Sequence, residues 1–174
     1  MPQEGPWIDW GCGDGKLADA LSAAGLTTRK YDEFMGAGRA GWLTEAELEQ
    51  GAFDLVVSTS VFEHFRRPAD VEKVLALVGD SGVCALHTLV RELVPEDPGW
   101  FYLLPVHCAF YTNASMQVLF DDWGFSASLY AVDARMWFWF RGCVDEVERS
   151  LPGLGLLPEQ GFHFKRAFVD YWRG

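Results

Sequence analysis

The stretch that decides the fold is Trp-Ile-Asp-Trp-Gly-Cys-Gly-Asp-Gly-Lys-Leu, residues 7–17. It begins with a largely apolar run, typical of a buried strand, which stops at three glycines spaced by two. A helical pattern follows, with a stop at Gly25 after an apolar face formed by Leu17, Ala20, Leu21 and Ala24. Glycines adopt positive φ freely and let a ligand lie against the backbone. The amides of such a turn, at the start of a helix, attract an anionic group. The stretch therefore predicts a strand, a ligand-binding turn and a helix.

Two glycine fingerprints compete for this turn. The dinucleotide fingerprint requires Gly-x-Gly-x-x-Gly, but Lys16 stands where its third glycine belongs. A nucleotide-sugar- or NAD-binding protein is therefore a disfavoured alternative, and a turn that binds nothing is another. What remains is an acid, Asp9, placed two residues before a Gly-x-Gly-x-Gly run at 11–15.

A second informative stretch is Phe-Asp-Leu-Val-Val-Ser-Thr at 53–59, the clearest buried strand of the sequence, which continues to Glu63-His64. The acid with its glycine run resembles motif I of the class I S-adenosylmethionine (SAM) methyltransferases. The Phe-Asp that opens the strand and the Glu-His that follows it resemble the fourth-strand motif of the same family. The resemblance extends from about residue 7 to about residue 141.

The resemblance implies SAM as the cofactor, with S-adenosylhomocysteine (SAH) as the product. Asp9 and the glycine turn would then hold the methionine part. Asp32, an acid at the end of the second strand, suits the two ribose hydroxyls, although it also fits an ordinary surface turn. The complete set of predicted cofactor-binding residues is Asp9, Gly11, Cys12, Gly13, Gly15, Asp32, Glu33, Ser58, Thr59 and Ser60.

The rest of the chain alternates strands and helices, which predicts an α/β fold. Besides the strands already described, the patterns predict strands at 27–32, 82–90, 125–132 and 136–141, and helices that begin near Thr44, Pro68, Thr112 and Val144. Only 20 residues separate Asp32 from Phe53, so we expect the third strand of the family to be stunted or absent. The aromatic spacing of Phe164, Phe168 and Trp172 predicts a last helix.

These elements predict a single doubly wound, Rossmann-like sandwich of three layers. The sheet should have six or seven strands and be mostly parallel, with an antiparallel edge hairpin. We expect one methyltransferase-like domain over residues 1–174, with a core at about 7–141 and a helical extension at about 142–174. The first strand starts within six residues of the N-terminus, where many members of the family place lid helices, so closure of the cofactor site is expected to differ.

Two histidines are candidates for a catalytic base, which is required only when the methyl acceptor is a hydroxyl or an ammonium group. His64 follows the fourth-strand motif, at the carboxyl edge where open α/β sheets bind ligands. His107 lies in an irregular, aromatic-rich connection at 91–111, and long connections of this kind are often binding loops. A structural role remains open for both. The residues predicted to bind the acceptor are Trp100, Tyr102, His107 and Tyr111.

Composition narrows the function further. The net charge of −11 repels phosphate backbones and argues against a nucleic-acid substrate. The four cysteines form no CxxC pair, and no metal ligands are predicted. Without a signal peptide or an apolar run of membrane-spanning length, we expect a cytoplasmic protein with no membrane partner. The main expectation is a SAM-dependent methyltransferase of a small molecule, as a monomer or an oligomer. The alternative is a catalytically inactive SAM- or SAH-binding module or a partner subunit.

Overall fold

A single seven-stranded sheet runs through residues 6–170, the part of the chain that the computed structural model describes. In chain order the strands are β1 (Trp7–Trp10), β2 (Thr28–Tyr31), β3 (Phe53–Thr59), β4 (Val78–His87), β5 (Ala127–Ala131), β6 (Met136–Phe140) and β7 (Phe162–Lys165). Their order across the sheet is β2-β1-β3-β4-β6-β5-β7. The first four strands are parallel, and β6, β5 and β7 join by antiparallel pairing. The predicted α/β class and mostly parallel core are confirmed.

Helices cover both faces of this sheet. They are α1 (Lys16–Ala23), α2 (Pro68–Leu75), α3 (Asn113–Asp122) and α4 (Val144–Ser150). The connection from β1 to β2 moves one way along the sheet, whereas the connection from β3 to β4 moves the other way. Because crossovers between parallel strands are right-handed, α1 and α2 lie on opposite faces, as the doubly wound prediction requires. None of the helices in residues 6–170 has the length and apolarity needed to cross a bilayer.

The strand alternation divides the core between these faces. On β6, Trp137 and Trp139 belong to the larger apolar cluster, which includes Phe120 of α3 and side chains of α2. Phe138 and Phe140 instead belong to a smaller cluster, with side chains from α4. Successive residues of a strand point to opposite faces, so this one short strand supplies both layers.

The end of the chain differs from the prediction. Residues 162–165 form β7 rather than a helix, and they pair with β5 from Ser128 to Ala131. The prediction of a last helix is therefore wrong for these residues, and Trp172 lies outside the described range. The hairpin of β5 and β6 is antiparallel as predicted, but β7 takes the outermost position beside it. Of the predicted helical extension, α4 is present and is followed by short 3₁₀ turns.

The connection from β2 to β3 contains no strand, as expected from its length. A single bridge between Lys30 and Trp42 is its strand-like pairing with the sheet, and Leu43 packs in the core. The helix predicted at Thr44 is one 3₁₀ turn, Glu45–Glu47, closed by a capping box between Thr44 and Glu47. The strand predicted at 82–90 begins earlier, at Val78, which the sequence pattern had assigned to the helix before it.

Candidate functional site

The glycine turn follows β1 and leads directly into α1. Gly11, Gly13 and Gly15 all have positive φ, of 72°, 56° and 84°. The Gly11 and Cys12 amides donate to the Tyr31 carbonyl at 2.8 and 3.1 Å, which holds the turn against the end of β2. Residues with a Cβ pay a steric cost in this conformation, so three left-handed residues at alternate positions explain the spacing of the glycines.

The surroundings of these glycines differ in a way that bears on binding. A Cβ on Gly11 would come within 2.6 Å of the Val61 side chain, so Gly11 is required for packing against the residues after β3. A Cβ on Gly13 would meet nothing within 4 Å. The space beside Gly13 is therefore open to a ligand that approaches the backbone.

Asp9 is the most unusual side chain beside the turn. It is 1% exposed, and within residues 6–170 neither carboxylate oxygen has a hydrogen-bond partner of normal geometry. Burial raises the pKa of Asp9 to about 6, and the charge of Asp32 raises it further, whereas the Ala18 amide and Lys30 lower it. A buried carboxylate without partners is costly to the folded protein. Its two free oxygens suit a cationic, hydrogen-bonding group.

Asp32 connects the end of β2 to the turn. Its Oδ2 accepts from the Gly13 amide at 2.9 Å, and its Oδ1 accepts from the Phe34 and Met35 amides at 2.9 and 2.7 Å. A carboxylate has about four acceptor positions, and these three bonds leave about one of them. The next residue, Glu33, is exposed.

Cys12 occupies the remaining position of the turn. Burial raises the pKa of its thiol to about 12, and the charges of Asp9 and Asp32 add to this effect. The thiol therefore stays protonated at neutral pH, which makes it a neutral wall of the turn and a poor nucleophile.

The end of β3 lies next to the turn, because Val61 packs against Gly11. Ser58 is fully buried and Thr59 is half-buried. Ser60 is exposed and has a positive φ of 56°. The Ser60 amide donates to the His87 carbonyl at 2.9 Å, and its hydroxyl lies 3.2 Å from His87 Nδ1. A serine with a positive φ costs conformational energy, and strained backbone of this kind is often found at functional turns.

Sequence reasoning assigned no functional role to His87. It ends β4, beside Thr59 at the end of β3, so it stands at the carboxyl edge with the predicted residues. Burial lowers the pKa of the His87 imidazole, and the charge of Arg135 lowers it further, against an opposing effect of Glu63. The predicted strand extended to residue 90, so it placed His87 inside the strand, and only the structure shows that the strand ends there.

The aromatic connection at 91–111 folds back over this edge. Trp100 packs against Tyr102 and Phe110, with ring centroids 5.6 and 5.5 Å apart. The Tyr102 hydroxyl accepts from the Leu89 amide, and burial raises the pKa of Tyr102 to about 12. Tyr111 is 9% exposed and donates its hydroxyl to the Phe62 carbonyl at 3.1 Å. Trp100 and Tyr102 are half-buried at the edge, whereas Tyr111 supports it from within.

His64 and His107 meet although 42 residues separate them in the sequence. Their ring centroids are 5.0 Å apart. His64 Nδ1 lies 3.0 Å from the Val106 carbonyl, and His107 Nδ1 lies 2.7 Å from the Tyr102 carbonyl. A carbonyl can only accept, so each Nδ1 must carry the hydrogen, and in a neutral ring each Nε2 then has a free lone pair.

The predicted residues thus form two groups along one edge of the sheet. The first surrounds the glycine turn and includes Asp9 and Asp32, and the second lies around His64 and His107. The short segment after β3 joins them. Two concavities border other parts of the described chain: one is lined by Gln117 and Phe168, and the other by Trp10 and Tyr31, the last residues of β1 and β2, together with Trp123. Phe34, beside the turn, is 87% exposed, so the edge is open to solvent there, and we refer to the surface along this edge as the groove.

Comparison with solved structures relates this arrangement to known proteins. A SAM-dependent methyltransferase from Archaeoglobus fulgidus superposes with a TM-score of 0.56 at 17% identity, covering 72% of this chain and 63% of that one. A putative methyltransferase from Haloferax volcanii, solved with the Trm112 activator, gives 0.54 at 19% identity, with 73% and 65% covered. The magnesium protoporphyrin IX methyltransferase of Synechocystis, solved with SAH, gives 0.51 at 20% identity, with 79% and 75% covered. This chain therefore spans just under two thirds of the first two relatives.

The sequence comparisons agree with the fold. A search of curated proteins finds no significant match. A family model described as a methyltransferase domain matches residues 1–128, well over half of the chain. From the glycine turn, the strand order and this match, the chain belongs to the methyltransferase-domain family, with the α/β fold of the SAM-dependent class I enzymes.

Proposed function

We propose that this protein is a SAM-dependent methyltransferase that acts on a small-molecule acceptor. The observation that carries the proposal is the buried Asp9 carboxylate, which has no hydrogen-bond partner of normal geometry in the described chain and lies at the glycine turn. An α-ammonium group would supply the missing positive charge and donors. A Cβ at Gly13 would meet nothing within 4 Å, so the rest of an amino-acid moiety can approach the backbone there. The residues present therefore fit the methionine part of SAM.

The nucleoside part would be held by Asp32 and its neighbours. The acceptor position that Asp32 retains can take one ribose hydroxyl, and release of the Gly13 amide would free a second. Glu33 is exposed at the next position and can reach the same sugar from the solvent side. Ser58, Thr59 and Ser60 would border the cofactor from the end of β3, next to the turn. When bound, SAM supplies a methyl group that its sulfonium already activates.

The chain must then align an acceptor and, for a hydroxyl or ammonium acceptor, remove a proton. His64 and His107 both have an available Nε2, so either can receive that proton. Trp100 and Tyr102 would wall the acceptor, with Tyr111 behind them. Aromatic walls exclude water from the groove. This favours alignment of the acceptor with the methyl group over reaction of the methyl group with water. A small-molecule acceptor also agrees with the strongly negative net charge, which repels a nucleic-acid substrate. We further propose that the enzyme is cytoplasmic.

Calorimetric titration with SAH tests the proposal. We expect one molecule of SAH to bind per chain, and we expect NAD to produce no heat of binding in the same titration. A mixture of labelled SAM with candidate hydroxyl, amine and carboxyl acceptors then tests turnover. Failure to bind SAH would overturn the proposal.

A second candidate is a subunit that requires a partner chain for activity. It is favoured by the edge position of β2, whose outer side makes one bridge with the connection that replaces the third strand. The Haloferax neighbour was solved with an activator protein. SAH binding without turnover of any acceptor, and turnover regained on adding a cell extract, would favour this candidate over a free-standing enzyme.

A further inference from the structure

A third ionisable side chain lies beside the histidine pair. Glu63 and His64 stand on the 3₁₀ turn Phe62–His64, directly after β3, and His107 comes from the aromatic connection. One ligand atom from each of the three side chains lies within 4.8 Å of the other two. Two imidazole nitrogens and a carboxylate oxygen at this spacing can reach a common ion.

The backbone around these residues holds them in place. The Glu63 carbonyl accepts from the Cys108 and Ala109 amides, at 2.7 and 3.1 Å, which binds the segment carrying His107 against the turn carrying His64. The two histidines are also orientated by the Val106 and Tyr102 carbonyls, which accept from Nδ1 and leave Nε2 for an ion. Metal-binding histidines have this arrangement, in which the second ring nitrogen donates to a carbonyl or a carboxylate.

Glu63 supplies an observation that is independent of the histidines. Its side chain is 2% exposed, and the Thr88 hydroxyl donates to it at 3.1 Å. The salt bridges of residues 6–170 include none that joins Glu63 to a lysine or an arginine. Buried carboxylates are normally paired with a cation or coordinate a metal. Hydrogen bonds from neutral hydroxyl groups, here those of Thr88 and Tyr102, leave that requirement unmet.

We propose that Glu63, His64 and His107 bind a divalent transition-metal ion at the acceptor end of the groove. Two imidazoles and one carboxylate suit Zn²⁺, and three protein ligands leave one tetrahedral position open. His64 is exposed, so the ion would be reachable from solvent. The role of the ion depends on the proposed function: with the ion bound both Nε2 atoms are occupied, so an acceptor oxygen in the open position would lose its proton to water, whereas a histidine would receive it only in the metal-free protein. Metal binding itself does not depend on that function.

Titration of the metal-free protein with ZnCl₂, without SAM or SAH, tests the site. We expect one ion per chain, and Co²⁺ should give the visible absorption of a four-coordinate site. His64→Ala and Glu63→Gln should each weaken Zn²⁺ binding about tenfold or more, as loss of even an outer-shell partner costs that much. His163→Ala, on β7, is the matched control and should bind as the wild type does. Far-UV circular dichroism of each variant checks folding, and Cys108→Ser excludes thiolate ligation.

Absence of Zn²⁺ binding, or binding that His64→Ala and Glu63→Gln leave unchanged, would overturn the metal site. Loss of binding in Cys108→Ser would also overturn the ligand set proposed here. SAH titration in parallel separates the two proposals. Binding of SAH without Zn²⁺ contradicts only the metal site, whereas binding of Zn²⁺ without SAH contradicts only the methyltransferase function.

Discussion

The Asp32 carboxylate accepts a hydrogen bond from the Gly13 amide, with 2.9 Å between Oδ2 and the nitrogen. This bond joins the end of β2 to the middle of the glycine turn, across 19 positions of sequence. The same carboxylate orders the Phe34 and Met35 amides. One side chain therefore positions both walls of the groove in which the cofactor is proposed to bind.

Replacing Asp32 should damage binding more than folding. We expect Asp32→Ala to weaken SAH binding about tenfold or more, because hydrogen bonds to a charged group contribute about 1.5–3 kcal/mol. Calorimetry measures the effect, and Asp133→Ala, an exposed aspartate in the turn of the β5–β6 hairpin, is the control. Equal SAH affinity in Asp32→Ala and the wild type would show that the ribose lies elsewhere.

The open space beside Gly13 allows a steric test. We expect Gly13→Val to abolish SAH binding while the far-UV spectrum stays close to that of the wild type, because the added side chain enters space that the ligand needs. The positive φ adds a backbone cost of about 1–2 kcal/mol. Gly124→Val has the same type of conformation and free space away from the site, so it controls for that cost. Tight SAH binding by Gly13→Val would contradict the assignment of the turn.

The buried Asp9 predicts a pH dependence of stability. Its pKa in the folded protein is about 6, above the unfolded value near 3.8, so between these values the folded state binds more protons than the unfolded state. The free energy of unfolding should therefore fall as pH rises through this window and then stay level. Asp9→Asn removes the ionised form and should be more stable at neutral pH, by about 1–3 kcal/mol at 1.4 kcal/mol per pKa unit.

Thermal unfolding of the wild type and Asp9→Asn from about pH 4 to about pH 7.5 measures this difference. The two proteins should converge at the acid end, where Asp9 is protonated. Asp9→Asn should also bind SAH more weakly at neutral pH, because the amide cannot pair with an ammonium group. Parallel stability curves for both proteins would show that Asp9 is not buried as described.

Arg141 is predicted to contribute mainly to stability. Its guanidinium donates to the carbonyls of Leu75, Val78 and Trp123, and so joins α2, β4 and the end of α3. Arg141→Ala should lower the free energy of unfolding by about 2–4 kcal/mol, since each bond contributes about 1 kcal/mol and the carbonyls lose their partner. Denaturant unfolding measures this, with the exposed Arg149→Ala as control. A loss below about 0.5 kcal/mol, as at ordinary surface positions, would contradict this role.

Turnover distinguishes an enzyme from a binding module. Once an acceptor is known, His64→Ala should lower the single-turnover rate by about 10²- to 10⁴-fold, as expected for loss of a positioned base. SAH affinity should change little, because His64 lies at the end of the groove proposed to bind the acceptor. His163→Ala should retain the wild-type rate. Wild-type rates in both His64→Ala and His107→Ala would mean that the reaction needs no histidine and depends on alignment alone.

Local patterns predicted most of the cofactor half of the site. The glycine spacing identified a turn that requires positive φ, and the alternation of strands and helices placed Asp9, Asp32 and Ser60 at strand ends. These are short-range properties, because a glycine turn and the strand before it are encoded in adjacent residues. The predicted tail helix failed for the opposite reason. Phe164 and Phe168 have helical spacing, but residues 162–165 pair with β5, and Ser128 holds the segment that follows them.

The sequence by itself determined the α/β class, the glycine turn, the acids at the ends of β1 and β2, and the likeness to a methyltransferase. Periodicity and glycine conformation act over a few residues and can be read from the chain directly. Only the tertiary structure decided that Asp9 is buried without a hydrogen-bond partner of normal geometry among residues 6–170, that Asp32 binds the Gly13 amide, and that Glu63, His64 and His107 converge. Those relationships depend on which strands become neighbours and on how the aromatic connection folds back. Long-range packing sets them, and local sequence patterns do not encode it.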